Sequence, residues 1–233
     1  FRDVSVIDPN MPVAPNIDRT VTGWICSNPP SSQPPRGSYG VETVDGRLAL
    51  HIVRGDNATT HGETRCTKRF GPGSTGIDIS GYNYLAVRTT FRITGQSLAV
   101  CGVAGSECPL MLEMQYLPEG VDASSVPPRD PSSFGPLIDQ LTPNPARKWN
   151  QGFYSIPAGQ FQAPLRCSTC PQEHASVRPA RWYSYDSGNL MQLFPPQQSP
   201  RYILNLSFYA SGHQYGVDVS EVELVVGTID TPP

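Results

Sequence analysis

Tyr84-Leu-Ala-Val-Arg-Thr-Thr-Phe-Arg-Ile93 decides the fold. Leu85, Val87, Thr89, Phe91 and Ile93 fall on one side, and Tyr84, Arg88, Thr90 and Arg92 on the other. A period of two sustained this long is the signature of a strand with one buried face. Upstream, the turn Asp45-Gly46 leads into Arg47-Leu-Ala-Leu-His-Ile-Val-Arg54, with Leu48, Leu50 and Ile52 on one side. Asp-Gly before an alternating run signals a hairpin. Residues 62–70 alternate less clearly and are assigned to the next strand. Downstream, residues 97–101 and 110–117 read as two strands joined by the Cys101–Cys108 loop, and 201–210 and 217–227 as two closing strands. Nowhere does an apolar period of 3.6 persist. Short strands broken by Gly and Pro predict an all-β fold, an antiparallel β-sandwich of the jelly-roll kind.

The rest of the chain is read around that frame. In residues 1–22, Val4, Val6, Ile7 and Val13 lie between prolines. That predicts an N-terminal arm or an edge strand, because Pro interrupts a ladder. Residues 23–227 are expected to form one sandwich domain, with residues 27–38 as a Pro-rich loop. Residues 118–200 hold fourteen prolines and only short apolar runs. They read as a loop-rich insertion with one or two strands of its own. Residues 228–233 read as the start of a linker.

Composition narrows the function. The formal net charge is −3, and only Lys68 and Lys148 are lysines. No clustered Lys and Arg supply the footprint of nucleic-acid binding. No run approaches the ~18 apolar residues of a membrane helix. Six cysteines occur: Cys26, Cys66, Cys101, Cys108, Cys167 and Cys170. An even count in a lysine-poor, loop-rich chain points to an oxidising compartment, hence to a secreted or cell-surface protein. Local spacing favours Cys101–Cys108 and Cys167–Cys170, which leaves Cys26–Cys66. Cys167-Ser-Thr-Cys170 also has redox and zinc readings. No second Cys-x-x-Cys completes a zinc site, so a structural disulfide is preferred.

The order of elements carries a resemblance. Gly76-Ile-Asp-Ile-Ser-Gly-Tyr-Asn-Tyr-Leu85 precedes the long strand, Cys101-Gly102 follows, then a strand ends in Tyr116, and Val217-Asp-Val-Ser-Glu-Val-Glu-Leu-Val-Val226 closes the chain. This resembles the galactose-binding-like jelly rolls that serve as carbohydrate-binding modules in secreted bacterial proteins. The resemblance covers residues 40–117 and 201–227. It implies a central strand after the Asp-Ile-Ser-Gly-Tyr turn and a final strand packed beside the first. It also implies a glycan partner and one structural calcium ion. Asp78 and Asp218 are the metal candidates, with Asp56 and Glu221 behind them.

Two candidate binding surfaces emerge. One is a polar sheet face carrying Arg88, Arg92, Glu113, Gln115, Asn205 and Tyr209, groups suited to paired hydrogen bonds with sugar hydroxyls. The plain alternative is a solvated face. The other is the run Arg181-Trp-Tyr-Ser-Tyr-Asp186, where Trp182, Tyr183 and Tyr185 offer rings for stacking as one wall of a cleft. Trp149, Phe153 and Tyr154 read instead as anchors. His51, His61, His174 and His213 are isolated, and no nucleophile, zincin or phosphate-loop motif occurs. The sequence therefore predicts a non-catalytic binding module with no cofactor beyond the calcium. The second reading is a subunit of a bacterial surface layer or extracellular filament. There, the arm 1–22 adds a strand to a neighbouring copy. Asn57-Ala-Thr59 and Asn205-Leu-Ser207 match the glycosylation pattern.

Overall fold

The computed structural model describes residues 23–55, 57–71, 75–97, 101, 108–121, 146–155 and 174–229. The arm 1–22, Asp56, Cys167, Cys170, and the greater part of both the 97–101 strand and the linker lie outside them. Twelve strands are present among the described residues. They are β1 (Trp24–Ser27), β2 (Ser38–Val44), β3 (Arg47–Arg54), β4 (Gly62–Arg69), β5 (Ile77–Asp78) and β6 (Tyr84–Gln96). Then follow β7 (Cys108–Pro118), β8 (Arg147–Ser155), β9 (Ala175–Val177), β10 (Trp182–Asp186), β11 (Pro200–Gly212) and β12 (Tyr215–Gly227). Among the described residues, two 3-10 turns, Leu190–Gln192 and Pro196–Gln198, lie between β10 and β11. Among the described residues no helix is long and apolar enough to cross a membrane.

The strands form an antiparallel sandwich. One sheet has seven strands in the order β1-β4-β11-β7-β8-β9, with β5 also paired to β11. The other has five, in the order β10-β6-β12-β3-β2. Only β8 and β9 run parallel among these pairings. The chain changes sheet at most of its connections, so both sheets are woven from distant segments. The predicted alternation of β6 holds, with Leu85, Val87, Phe91 and Ile93 fully buried. They meet Leu112, Met114, Phe153, Leu206 and Phe208 of the opposite sheet in one core. The Asp45-Gly46 hairpin forms as expected, both residues having positive φ, 50° and 74°. A turn with φ > 0 at both central positions matches the twist of the strands it joins.

Two expectations are corrected. The closing strand β12 pairs with β6 and β3, not with the first strand, which lies in the other sheet. Residues 118–200 supply three strands rather than one or two, and those strands serve both sheets. Those three strands are thus part of the sandwich. The segment's prolines had masked short runs that become strands by pairing with β7 and β6. Arg54, at the end of an alternating run, is buried, 2% exposed. Its guanidinium donates to the carbonyls of Gln33, Pro35, Thr60, Gly212 and His213. It clamps the β1–β2 and β3–β4 connections to the β11–β12 turn, supplying donors that buried carbonyls require.

Disulfides join Cys26 to Cys66 and Cys101 to Cys108. The first crosses the β1–β4 pair and the second closes the segment before β7.

Candidate ligand-binding faces

Residues directly opposite each other in a ladder share a sheet face, so register sorts the predicted site. Glu113 lies opposite Ser207 and Asn150, Gln115 opposite Asn205 and Lys148, and Tyr209 opposite Arg65 and Met111. Four predicted residues, Glu113, Gln115, Asn205 and Tyr209, therefore converge on the outer face of the seven-stranded sheet. Arg88 and Arg92 do not join them. Both lie on β6, in the other sheet, facing the opposite side of the sandwich. Aligning strands by their apolar sides cannot tell one outer face from the other.

The seven-stranded face is buried along its middle. All eleven residues of β7 are buried, outward ones included. Glu113 is 5% exposed and Ser207 1%. Arg65 organises the floor: Nε donates to Glu63 Oε1 at 2.7 Å and Nη1 to Glu113 Oε1 at 2.9 Å. Its guanidinium carbon lies 3.9 Å from the centre of the Tyr209 ring. Lys148 Nζ is 3.7 Å from Glu113 Oε2. Asn205 donates to Gln115 Oε1 at 2.9 Å, and Thr67 and Ser207 share a hydroxyl bond at 2.8 Å. Asn150 Oδ1 is buried with no hydrogen-bond partner among the described residues.

Electrostatics follow from this packing. Burial pushes the Glu113 carboxyl up. The charges of Arg65 and Lys148, with hydrogen bonds from Arg65 and Gln115, outweigh it and hold the group below the usual carboxylate value. Burial and the neighbouring Glu113 charge push the Tyr209 phenol up, so it stays a neutral donor. At one end of the face Met111, Tyr154, Cys101 and Cys108 pack together beside Tyr209. There His174 Nδ1 accepts from the Gly152 amide at 3.0 Å. Burial lowers its pKa, which favours the neutral ring. A Cβ at Gly152 would lie 2.8 Å from the His174 ring, so this approach requires glycine.

The five-stranded face carries ion pairs. Arg88 Nε donates to Asp186 Oδ2 at 2.6 Å. Arg92 Nε donates to Asp218 Oδ2 at 2.9 Å, and its Nη1 reaches Asp45 Oδ2 at 2.7 Å. Trp182 is on a strand, not a loop: β10 forms the edge of this sheet, with Trp182 opposite Arg92. The indole Nε1 donates to Asp45 Oδ2 at 3.1 Å, and Arg47 and Arg92 both sit 5.5 Å from the ring centre. The ring is thereby tied to the tip of the β2–β3 hairpin.

The three predicted stacking rings do not form one wall. Strand alternation turns Tyr183 and Tyr185 inward, away from Trp182. Tyr183 stacks on Phe91 and Tyr185 meets Phe153 edge-on. Trp149, Phe153 and Tyr154 are buried as strand residues of β8. Asp78 and Asp218 do not share an ion either. Asp78 is on β5 beside Tyr202 of the seven-stranded sheet and caps the Ser80 amide at 2.9 Å, whereas Asp218 faces out from the five-stranded sheet.

Sequence reasoning missed Arg65, Glu63, Lys148 and Asn150. The signal was present in β4, where Glu63, Arg65, Thr67 and Arg69 fall on one side. The weak apolar character of Thr64 and Lys68 on the other side obscured it.

No protein-family model and no curated protein matches the sequence. Several solved structures are similar in fold. A family 11 carbohydrate-binding module of a cellulosomal cellulase from Clostridium thermocellum is similar over 92% of this chain and 94% of that one, with 10% identity and a TM-score of 0.44. A family 28 carbohydrate-binding module, described as specific for non-crystalline cellulose, is similar over 89% of each chain, with 12% identity and a TM-score of 0.37. The enzymatically active domain of tailspike protein 4 of bacteriophage CBA120 is similar over 89% of this chain, at 9% identity and a TM-score of 0.43. This chain spans 20% of that domain. The likenesses are distant and concern the fold alone.

Proposed function

We propose that this domain is a non-catalytic carbohydrate-binding module of an extracellular protein, and that the glycan lies on the outer face of the seven-stranded sheet. One observation carries the reading. Planar polar side chains from four neighbouring strands, Arg65, Asn205, Gln115, Glu113 and Asn150, converge there in register, and Asn150 Oδ1 has no donor among the described residues. Sugar hydroxyls both donate and accept, so they suit a surface that mixes amides, a carboxylate and a guanidinium. The side chains are already held by one another, so little ordering entropy opposes binding. Held ionised, Glu113 offers acceptor oxygens to sugar hydroxyls. The two disulfides suit an oxidising compartment.

A glycan array followed by calorimetry tests the proposal. Asn205→Ala and Gln115→Ala should each weaken the best ligand by about 1–2 kcal/mol, the cost of a lost hydrogen bond and its orphaned partner. Asp186→Asn, on the opposite side of the sandwich, should leave affinity unchanged. Absence of binding across soluble and insoluble glycans defeats the reading. Binding lost in Asp186→Asn but kept in Asn205→Ala would move the site to the other face.

A further inference from the structure

We propose that Glu42, His51 and Asp218 form a binding site for a divalent transition-metal ion on the outer face of the five-stranded sheet. The three residues lie on adjacent strands. His51 is opposite Asp218 on one side and Gly40 on the other, and Glu42 follows Gly40 by two residues, which returns it to the same face. His51 Nδ1 is 2.7 Å from Asp218 Oδ1 and 3.2 Å from Glu42 Oε1, and all three atoms lie within 4.8 Å of one another. Around a tetrahedral ion with bonds of ~2.0–2.1 Å, ligand atoms stand about 3.4 Å apart. Glu42 already has that spacing from His51, and the His51–Asp218 contact needs to open by well under an ångström.

The setting of Asp218 distinguishes this group from an ordinary surface ion pair. Its side chain is 1% exposed, and Arg92 holds only the far oxygen, Oδ2, through Nε and Nη2 at 2.9 and 2.8 Å. Oδ1 is thereby aimed at His51 and Glu42. A carboxylate fixed on its distal oxygen is how proteins orient a metal ligand. His51 and Glu42 are partly exposed, so remaining coordination positions open to water. An imidazole nitrogen among so few ligands favours zinc, copper or nickel over calcium, which takes six to eight oxygens. The ion takes the place of the Nδ1 proton that bridges the carboxylates in the metal-free protein, and the neutral ring then carries its proton on Nε2, exchanged through solvent. The bound ion would join edge strand β2, through Glu42, to β3 and β12.

The experiment is calorimetry of the metal-stripped full chain with zinc chloride and, separately, with calcium chloride, alongside thermal unfolding. The expected result is one equivalent of zinc bound, a zinc-dependent rise in Tm, and no comparable calcium binding. His51→Ala should weaken zinc by more than about tenfold and abolish the Tm rise. Glu42→Gln, at a half-exposed position that folding tolerates, should weaken it by a smaller factor. His61→Ala, whose ring bonds Ser211 on the other sheet, should change nothing. The inference is overturned if the wild-type chain takes up no zinc. It is also overturned if His51→Ala and Glu42→Gln both bind as the wild type does, or if calcium binds as tightly as zinc.

Discussion

Arg88 with Asp186 and Arg65 with Glu113 are the same chemical pair in two settings. The first stands on the outer face of the five-stranded sheet, with side chains 41% and 46% exposed. The second stands on the outer face of the seven-stranded sheet, at 16% and 7%. Their N···O distances are similar, 2.6 and 2.9 Å. Depth separates them. Water screens an exposed pair and makes it nearly dispensable. A buried pair must recover a large desolvation cost, and does so only inside a network that satisfies both partners. Arg65 has Glu63, Glu113 and the Tyr209 ring around it, and Glu113 also has Lys148. The comparison teaches that the same residue types mark a shaped surface on one side and a solvated one on the other.

The sharpest way to break this contrast is Arg65→Met. It leaves Glu113 buried with only Lys148 as a cation, so unfolding in urea should show a loss of about 3–5 kcal/mol. A loss under about 1 kcal/mol would mean that water reaches the pair and that the two faces are alike.

Acidification probes the same network. The Glu113 carboxyl is held below its ordinary value in the folded protein. Its contribution is present above the unfolded-state pKa of about 4.3 and is lost as pH falls through the lower folded value. Wild-type stability should therefore fall on acidification below about pH 4.5, and Glu113→Gln should flatten that fall. An unchanged slope in Glu113→Gln would place the acid sensitivity elsewhere.

How far the sequence reaches follows from these same residues. The period of two in β6, the Asp45-Gly46 turn and the two closing strands were legible, because one buried face imposes alternation locally. Which sheet each strand joins was not. Arg88 and Glu113 satisfy the same apolar/polar rule, and only long-range pairing places them on opposite sides. The strands β8 and β10 were hidden because their flanks are rich in Pro and their identity comes from partners. The placement of Trp182 was missed for a related reason. An exposed-looking ring in a polar run gives no hint that Asp45, far away in sequence, accepts its N–H.

That ring offers the next test. If Trp182 ties the hairpin tip to β10, Trp182→Ala should cost about 1–2 kcal/mol. The loss combines one hydrogen bond to a carboxylate with two partly exposed cation–π contacts. Glycan affinity should stay within about twofold of wild type, because the ring faces away from the seven-stranded sheet. A tenfold loss of affinity with little change in stability would restore the ring to the binding surface and displace the proposed face.

The smallest effect belongs to the Arg88–Asp186 pair, and its smallness is the point. Both side chains are more than a third exposed, so the short contact sits in water of high dielectric. Coulomb attraction there is weak, and holding two long side chains together costs rotamer entropy. A double-mutant cycle with Arg88→Ala and Asp186→Ala should give a coupling of about 0.2–1 kcal/mol. In ~1 M salt, where the Debye length shrinks to about 3 Å, the coupling should fall toward zero. The corresponding cycle for Arg65 and Glu113 should keep most of its coupling in the same salt, because buried pairs are screened much less. A salt-resistant Arg88–Asp186 coupling above about 2 kcal/mol would show that this face, too, excludes water, and depth would then no longer distinguish the two sides of the sandwich.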